Sequence, residues 1–294
     1  MIVLRSLLFV PGNTPRMLDR AIGLRPDAFV PDMEDSVPWD EKSNARNVTA
    51  SYVPELAATG VSVIPRVNSL DTGLLEEDLS AVVGPHIFGV SVGKMDNPEI
   101  VAEVLSLLDR AEDAAGVERG ATRLVPWIES AEAIVRVYDI CTASERIVAV
   151  ALGAEDFTND MEIKRTDGDA ELAYARGAIA VAARAAGVLA LDTPFFSFRD
   201  VIALKANTEM SKAIGFKGRF AIHPAQLDII NNVYSPSEEE ISQAQREIEA
   251  FEEAAAMGRG STSLDGKVID VPVVKRAQAL IEKARAMGLA ECGC

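Results

Sequence analysis

TRLVPWIESAEAIVRVYDICTASERIVAVALGAED, residues 122–156, decides how the chain is read. Two apolar runs, TRLVPWIE (122–129) and RIVAVALGAED (146–156), enclose an amphipathic stretch, SAEAIVRVYDICTAS. Both runs are nearly continuous in apolar residues rather than alternating, the pattern of strands buried on both faces of a parallel sheet. Each run ends abruptly in acid: Glu129 closes the first, Glu155 and Asp156 the second. The unit is therefore strand, helix, strand, with ionisable groups where the strands stop.

The same unit repeats outward from it. Further strand candidates are LRSLLFVP (4–11), DAFVPDM (27–33), VSVIPRVN (61–68), HIFGVSVGK (86–94), GVLALDTPF (187–195) and GRFAIHP (218–224). Helical patterns lie between them. TPRMLDRAIGL carries Thr14 as N-cap candidate and Pro15 at the first helical position, and NPEIVAEVLSLLDRAEDAAG stops at Gly116. Eight strand–helix repeats in about 235 residues predict an α/β (β/α)8 barrel. A doubly wound open sheet is the alternative, disfavoured because no GxGxxG follows the first strand.

After Tyr234 the character changes. SPSEEEISQAQREIEAFEEAAAMGRG reads as a long acidic helix, STSLDGKVIDVPVV as a hairpin turning at Asp265–Gly266, and VKRAQALIEKARAMG as a last helix. The predicted division is a catalytic barrel over 1–235 and an extension over 236–294, which caps the barrel mouth or reaches a neighbouring subunit.

Composition narrows the function classes. The 294 residues carry a formal charge of −16, which argues against a general nucleic-acid binder. No apolar run reaches the length of about 18–20 residues that spans a bilayer, and MIVLRSLLFVPGN lacks the marks of a signal peptide. The expectation is a cytoplasmic protein that uses no membrane. Three cysteines, Cys141, Cys292 and Cys294, suit a reducing compartment.

In such a barrel the active site gathers at the carboxyl ends of the strands. There stand Asp32, Glu34 and Asp35, then Arg66, Lys94, Glu129, Glu155 with Asp156, Asp192, and His223. The ring is mostly acidic. Converging carboxylates need protons or a cation, and oxygen ligands without a Cys/His cluster favour Mg2+ or Mn2+ over zinc. Glu129 and Asp156 end neighbouring strands and reach one ion, or else they only cap the helices that follow. Arg66 is either the structural partner of Asp32–Asp35 or a fork for a substrate carboxylate or enolate oxygen. Lys94 is a Schiff-base candidate that an acidic ring would keep protonated; His223 is a base or an orienting group. Arg16 and Arg20 share one helix face after Phe9, as a solvated surface or as cations for a phosphorylated ligand.

The ordered set RSLLFVPGN, PDMEDSVPWDEKSNAR, PRVN, WIESAEAI, ALGAEDF, ALDTPF, GFKGRFAIHPAQ and DGKVIDVPVVKRAQ resembles the citrate lyase beta-subunit-like family of CoA-ester lyases, with malyl-CoA and citramalyl-CoA lyases among its relatives. The resemblance covers about residues 4–280. It implies a homotrimeric or hexameric (β/α)8 barrel that binds Mg2+ and a CoA thioester. It implies Glu129 and Asp156 as metal ligands and Arg66 as the substrate arginine. Asp32, Glu34 and Asp35 then surround the metal waters, and Phe9, Arg16 and Arg20 contact the CoA nucleotide. Asp270 becomes the acid/base that the C-terminal segment presents to a neighbouring subunit. Gly93–Lys94 departs from the usual strand-four Pro-Lys, and Glu129–Ser130 from the usual Glu-Thr. The implied activity is Mg2+-dependent retro-Claisen cleavage of a malyl- or citramalyl-CoA-type 3-hydroxyacyl-CoA to acetyl-CoA and a 2-oxo acid. A citryl-acyl-carrier lyase subunit of citrate lyase and a malyl-CoA thioesterase are the alternatives within that chemistry; a CoA-binding regulatory module is the alternative outside it.

Overall fold

The computed structural model describes residues 2–166 and 168–290. Cys292 and Cys294 lie outside the described residues. Eight parallel strands close into a barrel: β1 (Ser6–Pro11), β2 (Ala28–Asp32), β3 in two pieces (Ser62–Val63 and Arg66–Val67), β4 (Gly89–Val92), β5 (Arg123–Ile128), β6 (Ala149–Leu152), β7 (Leu189–Asp192) and β8 (Gly218–Ala221). Closure is made by β1, which pairs with β2 on one side (Leu7 opposite Ala28) and with β8 on the other (Leu7 opposite Phe220). The α/β barrel expected from the strand count is therefore present, and the open sheet is not.

The strands are shorter than the apolar runs that announced them. The run 61–68 is broken because Pro65 has no N–H to donate, yet pairing continues around it: the Ile64 N–H donates to Phe29 O and the Pro65 carbonyl accepts from the Ser91 N–H. Residues 86–88, 93–94 and 193–195 are connecting chain at the barrel's ends rather than strand.

Inside the barrel, Leu7, Val30, Ile64, Val125, Trp127, Ala151, Leu191 and Phe220 form one buried cluster. Burying each large apolar side chain contributes about 1.5–3 kcal/mol. Near the carboxyl end the filling turns aromatic. Phe9 stacks on Phe220 (5.1 Å between centroids) and on Trp127 (5.9 Å), and Trp127 lies 4.5 Å from Phe220. The indole N–H of Trp127 donates to Ser91 Oγ at 2.5 Å, which fixes the ring. This layer is the floor on which the polar groups stand.

The residues of the barrel, Leu4–Ile230, form one compact unit; the chain from Asn231 onward, with the few residues before Leu4, forms another. In the second unit, helices Glu238–Ala256 and Val271–Ala286 share a small core of Ile241, Ala244, Ala277, Ile281 and Ala284. The first of these helices starts at Ser237, not at Ser235–Pro236, because Ser237 and Glu240 form a reciprocal capping box. Strands Thr262–Leu264 and Lys267–Ile269 make the expected antiparallel hairpin, with Asp265 and Gly266 both left-handed at the turn. No helix among the described residues is long and apolar enough to cross a membrane.

Candidate active site

A cavity of about 290 Å3 opens at the carboxyl end of the barrel, and Phe9, Asp32, Asp35, Arg66, Trp127, Glu129 and Asp156 all line it. Parallel strands alone bring these residues together from positions 9 to 156. Asp32 pairs with Arg66 across the β2–β3 ladder, and Arg66 with Ser91 across the next.

Arg66 is the electrostatic centre. Its guanidinium lies 4.6 Å above the Phe9 ring and 5.8 Å from that of Trp127. It grips Asp32 bidentately, Nε to Oδ1 at 2.8 Å and a terminal nitrogen to Oδ2 at 2.7 Å. The other terminal nitrogen reaches Asp35 at 2.7 Å and Glu34 at 3.3 Å. Asp32 is 1% exposed and also accepts from the Glu34 and Ser36 N–H groups. Burial would raise its pKa, but the Arg66 charge and hydrogen bonds overcome that and hold the carboxyl below the ordinary range.

The other acids are not so compensated. Burial pushes Glu34 up to about 8, against the pull of Arg66 and with help from Asp35, Glu129 and Asp32. Burial pushes Glu129 up to about 7; the Lys94 N–H that donates to its Oε1 opposes this, and Asp156 adds to it. Asp156, at the exposed rim, is raised by partial burial and then by Asp35. No described cation forms an ion pair with Glu129 or Asp156. Elevated, unpaired carboxylates on neighbouring strands are what a bound cation would relieve. Among the described residues no three acid, histidine or cysteine side chains form a metal cage by themselves. Two carboxylates, with waters and substrate completing the shell, are nonetheless the usual complement for Mg2+, so the donor set fits that ion.

Local structure explains how these two acids come to face the cavity. Ser130, not Glu129, caps the helix Ala131–Val135, accepting from the Ala133 N–H at 3.0 Å and donating to Asp96 at 2.5 Å. Glu129 is thus free of capping duty. Asp156 does not cap a helix either; it sits in the first turn of helix Ala154–Asp160, where the positive helix end favours an acid. Gly153 between β6 and that helix lets Glu129 lie across it, since a Cβ there would come 2.6 Å from Glu129 Cβ.

Four other expected members of the ring are engaged by partners of their own. Asp192 is fully buried between Arg176 (3.1 Å) and Arg219, outside the cavity lining, and these partners hold it ionised against its burial. Glu155 lines the cavity but pairs with Arg165 at 2.9 Å. His223 uses Nδ1 to accept from the Ala225 N–H and stacks on Phe198 at 4.7 Å, an orienting rather than a basic arrangement. The Lys94 side chain points to Asp71 at 3.0 Å, and that hydrogen bond raises its pKa and favours the protonated form over the free amine that a Schiff base needs.

Phe9, Arg16 and Arg20 are separated by the fold. Phe9 lies in the barrel floor, while both arginines are exposed on helix Pro15–Ile22 and do not line the cavity. Thr14 precedes that helix without a side-chain capping bond. Asp270, in the second unit, caps helix Val271–Ala286 by accepting from the Val273 N–H at 3.2 Å. Sequence reasoning missed Lys42. Its buried Nζ donates to the carbonyls of Met33 (3.0 Å) and Glu34 (2.6 Å) and clamps the acidic loop. In WDEK it resembles any surface lysine at a helix start.

Comparison with known proteins now adds to this geometry. Residues 5–224 match the HpcH/HpaI aldolase/citrate lyase family. Citrate lyase subunit beta of Leuconostoc mesenteroides subsp. cremoris is 37% identical over 287 residues, 98% of this chain and 95% of that protein. A (3S)-malyl-CoA thioesterase of Cereibacter sphaeroides is 32% identical over 284 residues, 96% and 95% of the two chains. Among solved structures, protein CitE from Mycobacterium tuberculosis in complex with magnesium, acetoacetate and coenzyme A superposes with a TM-score of 0.75 at 25% identity, covering 95% of this chain and 97% of that one. A citrate lyase from Burkholderia xenovorans LB400 shares the fold at TM-score 0.85 and 18% identity, covering 99% and 95%. The chain belongs to the HpcH/HpaI aldolase/citrate lyase family and is a lyase.

Proposed function

We propose that this member of the family is a Mg2+-dependent lyase of a 3-hydroxyacyl-CoA of the malyl or citramalyl type, releasing acetyl-CoA and a 2-oxo acid by retro-Claisen cleavage. The observation that carries the reading is the pairing, in one cavity, of two uncompensated carboxylates, Glu129 and Asp156, with a cation-bearing wall at Arg66. Magnesium and coenzyme A in the M. tuberculosis neighbour support it.

Glu129 and Asp156 would hold Mg2+, which supplies Lewis-acid polarisation and a template for the substrate's hydroxyl and carboxylate oxygens. Asp32, Glu34 and Asp35 would order the surrounding waters. When the substrate hydroxyl gives its proton to a water ordered by that acidic cluster, its oxygen electrons form the new carbonyl of the 2-oxo acid. The C2–C3 bond breaks and its electron pair passes to the thioester as an enolate. Arg66 would face the enolate oxygen; its planar fork, fixed by Asp32 and supported on Phe9, needs no reorganisation as that charge builds. Asp270, presented by the C-terminal segment of a neighbouring subunit in a homotrimer or hexamer, would return a proton to the acyl carbon. Arg16 and Arg20 would meet the CoA phosphates.

A second reading, the lyase subunit acting on a carrier-bound citryl thioester, is favoured by the higher identity to citrate lyase subunit beta. A product assay separates the readings. Purified protein with Mg2+ is given malyl-, citramalyl- and citryl-CoA. Glyoxylate or pyruvate with acetyl-CoA supports the first reading and oxaloacetate the second. Malate with free CoA would show thioesterase chemistry, and no cleavage of any ester would overturn the free CoA-ester reading.

A further inference from the structure

The acidic wall of the cavity is shaped by two residues after β4 whose side chains do not line it. A Cβ at Gly93 would stand 2.9 Å from Glu34 Oε1 and 3.0 Å from Glu129 Oε1. Both neighbours are tips of flexible side chains, so a side chain at 93 would displace the carboxylates and leave the backbone in place. Its absence is what lets two acids from different strands converge on one point. Lys94 follows with φ of 52°, the left-handed region that a residue with a Cβ rarely adopts. That turn aims the Lys94 backbone N–H at Glu129 Oε1, while Asp71 draws the Lys94 ammonium to the rim. Only the backbone of Lys94 addresses Glu129. Strain of this kind persists where the surroundings over-determine it, and here it orients one carboxylate against another.

We propose that Gly93–Lys94 is a positioning element for a divalent cation: the bare glycine admits Glu34 beside Glu129, and the left-handed Lys94 N–H sets the orientation of the Glu129 carboxylate. The proposal rests on the reading of Glu129 as a metal ligand. It assigns the effect to backbone geometry and not to the lysine charge.

The test is calorimetric titration of the full-length protein with MgCl2, repeated with MnCl2, for wild type, Gly93→Ala and Lys94→Gly, each checked by thermal melting. Partners that orient a metal ligand typically control affinity by about 10- to 100-fold. Gly93→Ala should therefore bind either ion at least about tenfold more weakly while melting cooperatively; binding equal to wild type would overturn the role of Gly93. Lys94→Gly keeps the N–H and adopts the same φ without strain, so its affinity should stay within about threefold of wild type. A larger loss would transfer the effect to the ammonium and overturn the backbone assignment. Lys94→Gly carries the test alone if Gly93→Ala does not fold. If the wild type takes up neither ion, the metal reading fails first and the inference with it.

Discussion

Arg66 holds Asp32 through two parallel hydrogen bonds of 2.8 and 2.7 Å, and the aspartate beneath it is almost fully buried. This pair separates the acidic motif into a compensated half and an uncompensated half. Replacing Arg66 strands Asp32 and Asp35 without their cation. Removing one partner of a buried pair costs about 3–5 kcal/mol. Arg66→Met should lower the unfolding free energy by that amount in urea and abolish turnover. Arg66→Lys keeps charge but loses the fork, so it should lose turnover with a smaller loss of stability.

The uncompensated half gives the metal-free protein a definite pH dependence. Burial raises Glu34 to about 8 and Glu129 to about 7, both above their unfolded values. Groups raised in the folded state contribute stability at low pH and lose it as pH climbs through the folded pKa. Without metal, the melting temperature should fall between about pH 5 and pH 9, and Mg2+ should remove most of that fall. Mg2+ binding near pH 7 should also release protons, visible as a binding enthalpy that changes with the ionisation enthalpy of the buffer.

Asp270 offers a cleaner separation of chemistry from structure. It caps helix Val271–Ala286 through Oδ1, and asparagine caps as well as aspartate does. Asp270→Asn should leave CoA binding and melting near wild type while lowering turnover by about 100-fold or more. Asp270→Ala should add a loss of about 1 kcal/mol from the missing cap. Undiminished turnover in Asp270→Asn would remove the residue from the mechanism.

Arg16 and Arg20 are exposed cations away from the cavity lining. If they meet CoA phosphates, Arg16→Ala/Arg20→Ala should raise KM for the CoA ester and reduce its salt dependence, with kcat little changed. An unchanged KM would return both residues to the solvated surface.

The barrel was legible because strands buried on both faces write continuous apolar runs, and residues 122–156 show two of them with an acid at each end. Asp32, Arg66, Glu129 and Asp156 were legible for the same reason: each follows such a run. What a run cannot show is which strand-end charge meets a partner. Asp192 has the same local context as Asp32, yet Arg176 and Arg219 enclose it in the wall of the barrel. Those partners come from 16 residues earlier and 27 later, with no local mark. Lys42 escaped for the same reason, and Gly93 and Gly153 because a glycine's role lies in what stands against it.

The most direct test of the metal centre is Asp156→Ala, assayed for Mg2+ binding and for cleavage of malyl-, citramalyl- and citryl-CoA with and without added metal. Glu129 and Asp156 as the ligands predict that the variant folds, loses tight Mg2+ binding and loses metal-dependent turnover on every ester that the wild type cleaves. Turnover in the variant equal to wild type, with no requirement for added metal, would contradict that centre.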